Sequence, residues 1–166
     1  MSSTSACHTL PCAASALPDV AKQPHVGPKG TLNWVGMSEI ELPVLVPTPS
    51  QHPIQALARV QAYVNLIDPD SKGIHMSRLY LALDNQLGMA ELSPALLKQV
   101  VSQFVQSHEG LSSAGYLECR FDYYEKRRSL MSDNRGWKNY PVRLIASIRD
   151  GHFQLELSVE VPYSST

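Results

Sequence analysis

The spacing of hydrophobic positions changes period twice along the chain. From Leu32 to Val46 the apolar character is carried by Trp34, Val35, Ile40, Leu42, Val44 and Val46. The last four alternate with other residues at period two, which predicts a strand. Pro47, Pro49 and Pro53 punctuate a link. Alternation resumes from Ala56 to Ile67 through Leu57, Val60, Ala62, Val64 and Leu66, and stops at the turn-forming Asp68-Pro69-Asp70. Two such runs joined by a short Pro-rich link predict a hairpin. The period then moves to three and four. Met76, Leu79, Tyr80, Leu83 and Leu87 mark a helix that stops at Gly88. Leu97, Val100, Val101, Phe104, Val105 and His108 mark a second helix, capped by Ser93, started by Pro94 and closed by Gly110. Period two returns over Tyr116 to Tyr124, Tyr140 to Ile148 and Phe153 to Val161, with Asp150-Gly151 as a two-residue hairpin signal between the last two. The order strand, strand, helix, helix, strands predicts an α+β fold: an antiparallel sheet with two helices on one face. Residues 1–29 are rich in Ser, Ala and Pro and follow neither period, so they read as a disordered tail ahead of a domain over 30–166. No internal repeat is visible.

Composition narrows the class. With 43% hydrophobic and 17% charged residues in a 166-residue chain, one packed domain is expected. Fourteen Lys+Arg against fifteen Asp+Glu give a net charge of −1, which argues against a general nucleic-acid binder but leaves room for a local cation cluster that receives a small anion. No apolar run approaches the ~20 residues of a membrane span. The N-terminus lacks a cationic segment followed by an apolar stretch, and three cysteines make no disulfide framework, so a cytoplasmic protein is expected.

The segment Lys72-Gly73-Ile74-His75-Met76-Ser77-Arg78 is the most informative for chemistry. It leads from a strand into a helix start, where free backbone N–H groups gather, and Lys72, Ser77 and Arg78 add two cations and a hydroxyl. It reads either as an anion site, for a phosphate in particular, or as a helix start with solvated charges. It lacks the spaced glycines of an NTPase loop. His75 reads as a base, ligand or substrate donor, or as a satisfied structural histidine with no partner carboxylate nearby in sequence. A second basic segment, Glu125-Lys126-Arg127-Arg128 with Arg135 and Lys138, lies between two strands. It is suited to clamping a polyphosphate or pairing with acidic groups of a neighbouring subunit, or it is a solvated loop. Trp137 and Tyr140 beside it either stack on a base or anchor the loop. Cys7-His8 and Cys12 lack a fourth metal ligand at sensible spacing, Cys119 alternates with apolar neighbours toward the core, and His25, His52, His108 and His152 show no metal spacing. No complete catalytic set is present.

Three segments carry a family resemblance: Leu32-Asn33-Trp34-Val35-Gly36-Met37, the run Lys72-Gly73-Ile74-His75-Met76-Ser77-Arg78-Leu79-Tyr80, and the closing Val159-Glu160-Val161-Pro162-Tyr163-Ser164-Ser165-Thr166. Together they resemble type IB GTP cyclohydrolase I, the bacterial alternative to the type IA enzyme, from about Leu17 onward. The resemblance implies a tunnelling fold (T-fold), whose antiparallel sheets with two helices on one side assemble into barrels, and hence a homo-oligomer. It implies hydrolysis of GTP to 7,8-dihydroneopterin triphosphate and formate, the first step of tetrahydrofolate biosynthesis and in some bacteria also of queuosine synthesis. It implies a divalent metal, zinc or another ion, that activates water. Ser77 and Arg78, with Lys72 close by, look like the pair that type IA enzymes place on the substrate phosphates, and His75 is a possible catalytic residue.

In the family the closing run leads into Cys-Pro-Cys-Ser, whose first cysteine is a metal ligand and catalytic. Its later histidine and glutamate ligands and its purine-recognising glutamate lie further on. The resemblance therefore implies that 30–166 is the truncated N-terminal half of the enzyme, with no metal ligand of its own and inactive alone. The alternative reading, from another class, is a non-catalytic tunnelling-fold domain that binds a purine or pterin or only assembles. A nitrile-forming or nitrile-reducing queuosine enzyme would need a nucleophilic cysteine in a motif that is not found.

Overall fold

The computed structural model describes residues 30–49, 52–129 and 132–163; the expected tail, with Cys7, His8, Cys12 and His25, and the closing residues 164–166 lie outside them. Five strands, β1 (Leu32–Val46), β2 (Ile54–Leu66), β3 (Ala114–Arg128), β4 (Arg135–Arg149) and β5 (His152–Val159), form one antiparallel sheet in the order β1-β2-β3-β4-β5. The helices α1 (Met76–Ala82) and α2 (Pro94–Gln106) are inserted between β2 and β3. A π-helical turn over Leu83–Leu87 extends α1 to the expected stop at Gly88. The α+β reading and its element order stand.

Local signals act where they were expected. The Ser93 hydroxyl accepts from the Leu96 N–H at 3.2 Å, and Pro94 opens α2. Asp150 and Gly151 take φ of 49° and 77°, the pair of positive values that a tight hairpin matching strand twist requires. Alternation decides which side of the sheet is covered. Ala58, Val60, Ala62 and Val64 of β2 stand beside Phe121, Cys119, Leu117 and Gly115 of β3, and α2 supplies Leu97, Val100, Val101 and Phe104 to the same core. The opposite face bears Arg59, Gln61 and Tyr63 beside Arg120, Glu118 and Tyr116.

Two features depart from simple alternation. Between Met37 and Ile40 the β1–β2 register shifts, and Glu39 takes a φ of 53°. This bulge turns the Glu39 carboxylate across β2 to Arg120 of β3, 2.6 Å away. The second is the basic segment read as a loop, which is strand. Pairing of β3 with β4 continues from Phe121↔Val142 to Arg128↔Arg135, past Ala58↔Phe121, where β2 stops pairing with β3. Residues 122–128 and 135–141 thus form a two-stranded arm. No hydrophobic alternation marks the sequence of its far half, and cross-strand pairs such as Glu125↔Lys138 hold it.

The helical excursion is pinned at its base. Asn65 Oδ1 accepts from the N–H groups of Ser113 and Ala114 at 2.9 and 2.8 Å, its Nδ2 donates to the Ser113 hydroxyl at 3.1 Å, and the Ser112 hydroxyl donates to the Asn65 carbonyl at 2.5 Å.

Candidate functional site

The Lys72–Arg78 segment enters α1 against the C-terminal end of α2. His75 is the N-cap residue and makes no side-chain cap bond, so the first turn is held through its carbonyl instead. That carbonyl accepts the Arg78 backbone N–H at 3.0 Å and lies 3.2 Å from Nε2 of His108. The Arg78 guanidinium donates to the Ser107 carbonyl at 2.5 Å. Lys72, Ser77 and Arg78 are exposed and His75 is half-buried. Ser77 and Arg78 are thus neighbours on an open surface, and one N–H of Arg78 is already committed to α2.

His108 is the residue that sequence reasoning misplaced in role. Its position on the apolar face of the second helix is right in that it is buried, at 1% exposure, just beyond the last turn. It is nonetheless a polar junction: its Nδ1 lies 2.8 Å from the Phe104 carbonyl and 3.1 Å from the Ser107 hydroxyl. The signal available in sequence was a histidine four residues after Phe104 at a helix end, where orphan carbonyls collect.

The open face of the sheet carries a cluster that sequence reasoning did not find. Glu118 is 5% exposed, although no helix covers it. Its carboxylate accepts from the Tyr116 hydroxyl at 2.7 Å and from Arg143 at 2.9 Å, and Arg120 stands 3.4 Å away. Arg59, Arg120 and Arg143 occupy successive register positions on β2, β3 and β4, an arrangement that repels itself unless carboxylates are interleaved. Glu41, Glu39 and Glu118 supply them. The three arginines, with Leu57 and Trp137, line a groove of about 860 Å³.

The Arg143 hydrogen bond, reinforced by Tyr116 and Arg120 and opposed by burial, holds the Glu118 carboxyl below the usual carboxylate range. Burial, then the neighbouring Glu118, pushes the Tyr116 phenol up to about 12. A carboxyl whose folded pKa is depressed contributes stability that is complete above its unfolded value, ~4.3, and is lost as pH falls through the folded value. Glu118→Gln is expected to cost about 1–2 kcal/mol at neutral pH, after allowance for solvent screening of the half-exposed arginines. The gap from wild type should close as the pH drops below ~4. Urea unfolding at pH 7 and pH 3 measures this, and a gap of the same size at both would contradict the ion-pair account.

The arm's charges are largely satisfied within it. Arg127 pairs with Glu125 at 2.7 Å and lies over the Tyr140 ring at 5.5 Å, Arg128 pairs with Asp133, and Lys126 lies over the Trp137 ring at 5.8 Å. Trp137 and Tyr140 therefore receive cations of their own hairpin.

Among the described residues, no group of three His, Cys, Asp or Glu side chains is placed to hold a metal ion. Cys119 is buried and faces the core as expected, and burial pushes its thiol up to about 12, so it offers no thiolate. The described residues by themselves do not make a site for the divalent ion that the resemblance implies. No helix among them is long and apolar enough to cross a membrane.

Comparison with known proteins follows the same line. The family model described as "Type I GTP cyclohydrolase folE2" matches residues 17–166. The chain is 55% identical over 150 residues to a protein named GTP cyclohydrolase FolE2 from Hydrogenovibrio crunogenus, a match that covers 90% of this chain and 48% of the relative. Proteins of the same name from Pseudoalteromonas translucida and Pseudomonas putida are 46% and 45% identical over 150 residues, with 90% of this chain and 50% and 48% of those relatives covered. The chain spans about half the length of the curated relatives it matches.

Proposed function

The chain belongs to the type I GTP cyclohydrolase folE2 family, and from that membership we propose that it forms part of an enzyme that hydrolyses GTP to 7,8-dihydroneopterin triphosphate and formate, opening tetrahydrofolate biosynthesis in the cytoplasm. The observation that carries this reading is the match of the family model to residues 17–166, with relatives of one name at 45–55% identity. A divalent metal, when bound, would supply the activated water of such a reaction; among the described residues no group of three candidate ligands is placed to hold it. Assembly into a homo-oligomer belongs to the same proposal.

Within that enzyme, Ser77 and Arg78 bind the triphosphate of GTP, with Lys72 and His75 nearby. Exposure of Lys72, Ser77 and Arg78 supports this, as does the anchoring of Arg78 by the Ser107 carbonyl, which orients a guanidinium that keeps further N–H donors toward solvent. Losing a charge-assisted phosphate contact costs on the order of 1.5–3 kcal/mol, or roughly 10- to 150-fold. The phosphates lie away from the purine carbon that is attacked, so Arg78→Ala in a full-length enzyme carrying the same Ser-Arg pair is expected to raise KM for GTP by that factor and leave kcat within a few-fold. Assay with GTP and with guanosine is the test: an unchanged KM for GTP, or an equal loss with guanosine, rejects the phosphate role.

A further inference from the structure

We propose that His108 is a positioning residue: from the end of α2 it fixes the first turn of α1 and thereby the pose of Arg78. The inference rests on the phosphate reading above for its consequence and on a closed set of contacts for its geometry. Starting at Arg78, the guanidinium donates to the Ser107 carbonyl at 2.5 Å. The next residue along the chain, His108, brings Nε2 to within 3.2 Å of the His75 carbonyl. That same carbonyl accepts the backbone N–H of Arg78 at 3.0 Å, which returns the circuit to its start. Arg78 is therefore held at both ends, backbone and guanidinium, and both holds converge on two consecutive residues of α2's C-terminal end.

The chemistry of the imidazole makes the arrangement directional. Carbonyls only accept, and one faces each ring nitrogen, His75 at Nε2 (3.2 Å) and Phe104 at Nδ1 (2.8 Å), so the His75 contact is a hydrogen bond in the form that carries hydrogen on Nε2. The opposite nitrogen is packed against the Phe104 carbonyl and the Ser107 hydroxyl, which fixes the ring plane. The ring is 1% exposed, so water does not replace these partners when they are lost. Ser107 is itself fixed, its hydroxyl 3.0 Å from the Phe104 carbonyl and its N–H bonded to the Gln103 carbonyl at 2.9 Å. A rigid helix end thus presents one donor and one acceptor to a segment whose N-cap has no side-chain cap of its own. Moving the ring or deleting its N–H frees the His75 carbonyl, and with it the turn that carries Ser77 and Arg78.

The test uses the 166-residue chain with two substitutions. His108→Phe keeps an aromatic ring and removes both nitrogens; His108→Gln keeps a single N–H donor able to reach the His75 carbonyl. Hydrogen–deuterium exchange is followed in peptides spanning 72–80 and, as a control for global opening, in peptides spanning β4. Inorganic triphosphate is the binding probe. In His108→Phe, exchange over 72–80 is expected to rise at least tenfold with β4 unchanged, and triphosphate affinity to fall about tenfold; His108→Gln restores both to within about threefold. Equal exchange over 72–80 in wild type and His108→Phe overturns the proposal. So does a rise shared equally by β4, which marks a merely structural residue; if His108→Phe does not fold, failure of His108→Gln to match wild type over 72–80 has the same force. Absence of triphosphate binding to wild type, with the local exchange effect intact, rejects the phosphate reading and leaves the positioning of Arg78 standing.

Discussion

The 166-residue chain, incubated with GTP and a divalent cation, is expected to release no formate above the no-enzyme background and to retain no zinc in stoichiometric amount after gel filtration. A water-activating ion needs about three protein ligands held in fixed geometry. Among the described residues no group of three candidate ligands is so placed. The individual candidates are otherwise engaged: Cys119 is a buried thiol in the core, and both ring nitrogens of His108 face backbone carbonyls. The loss is expected to be complete rather than partial, because binding without an activated nucleophile leaves the attacking group missing. Formate measured by a coupled dehydrogenase assay, alongside metal analysis of the same fraction, decides it. Formate production that scales with chain concentration would mean that a site is built by residues other than those described, or between copies of the chain.

Gly36→Ala is expected to lower the stability of the fold by about 3 kcal/mol, near the upper end of what overpacking usually costs. Gly36 lies in β1 opposite Tyr63, close to the register shift that ends at Ile40. A methyl group there would stand 2.0 Å from the Ala62 carbonyl oxygen and 2.7 Å from the Tyr63 Cα, and both obstacles are backbone. Backbone cannot rotate aside as a side chain can, so the β1–β2 pairing must shift. Gly136→Ala is the control, since nothing lies within 4 Å of the added carbon. Guanidinium melts of the two variants beside wild type measure the difference. Equal midpoints for Gly36→Ala and wild type would show that β1 yields where the contacts say it does not.

Legibility from sequence followed burial. The strands and helices that cover the core announced themselves, because burial on one side imposes a period: Ile40, Leu42, Val44 and Val46 in β1, and Leu97, Val100, Val101 and Phe104 in α2. The far half of the β3–β4 hairpin gives no strand signal in sequence, because its strand pairing leaves no such period. Glu125↔Lys138 and Arg128↔Arg135 look like any charged segment until they are seen to face each other. At the candidate site, Lys72, Ser77 and Arg78 were visible as a local run. The contact of the His75 carbonyl with His108 was not, since it joins residues 33 apart. Glu118 was hidden for a related reason. An apolar–polar alternation puts it on the open face, but its partners there, Arg143 and Tyr116, reach it from β4 and from two residues along β3.

Asn65 has a topological consequence. The hairpins β1–β2, β3–β4 and β4–β5 each close over a short stretch of chain, whereas Asn65 and Ser113 meet across 48 residues. Ring-closure entropy makes that single seam cost about 3 kcal/mol more than a two-residue hairpin turn. The sheet is therefore two locally closed pieces, β1–β2 and β3–β4–β5, zipped along one line, and Asn65 is the slider at its end. The base of the excursion is closed by Asn65 and by the Ile67 N–H on the Leu111 carbonyl, so the helices leave and rejoin the sheet at one fixed rung of the β2–β3 ladder.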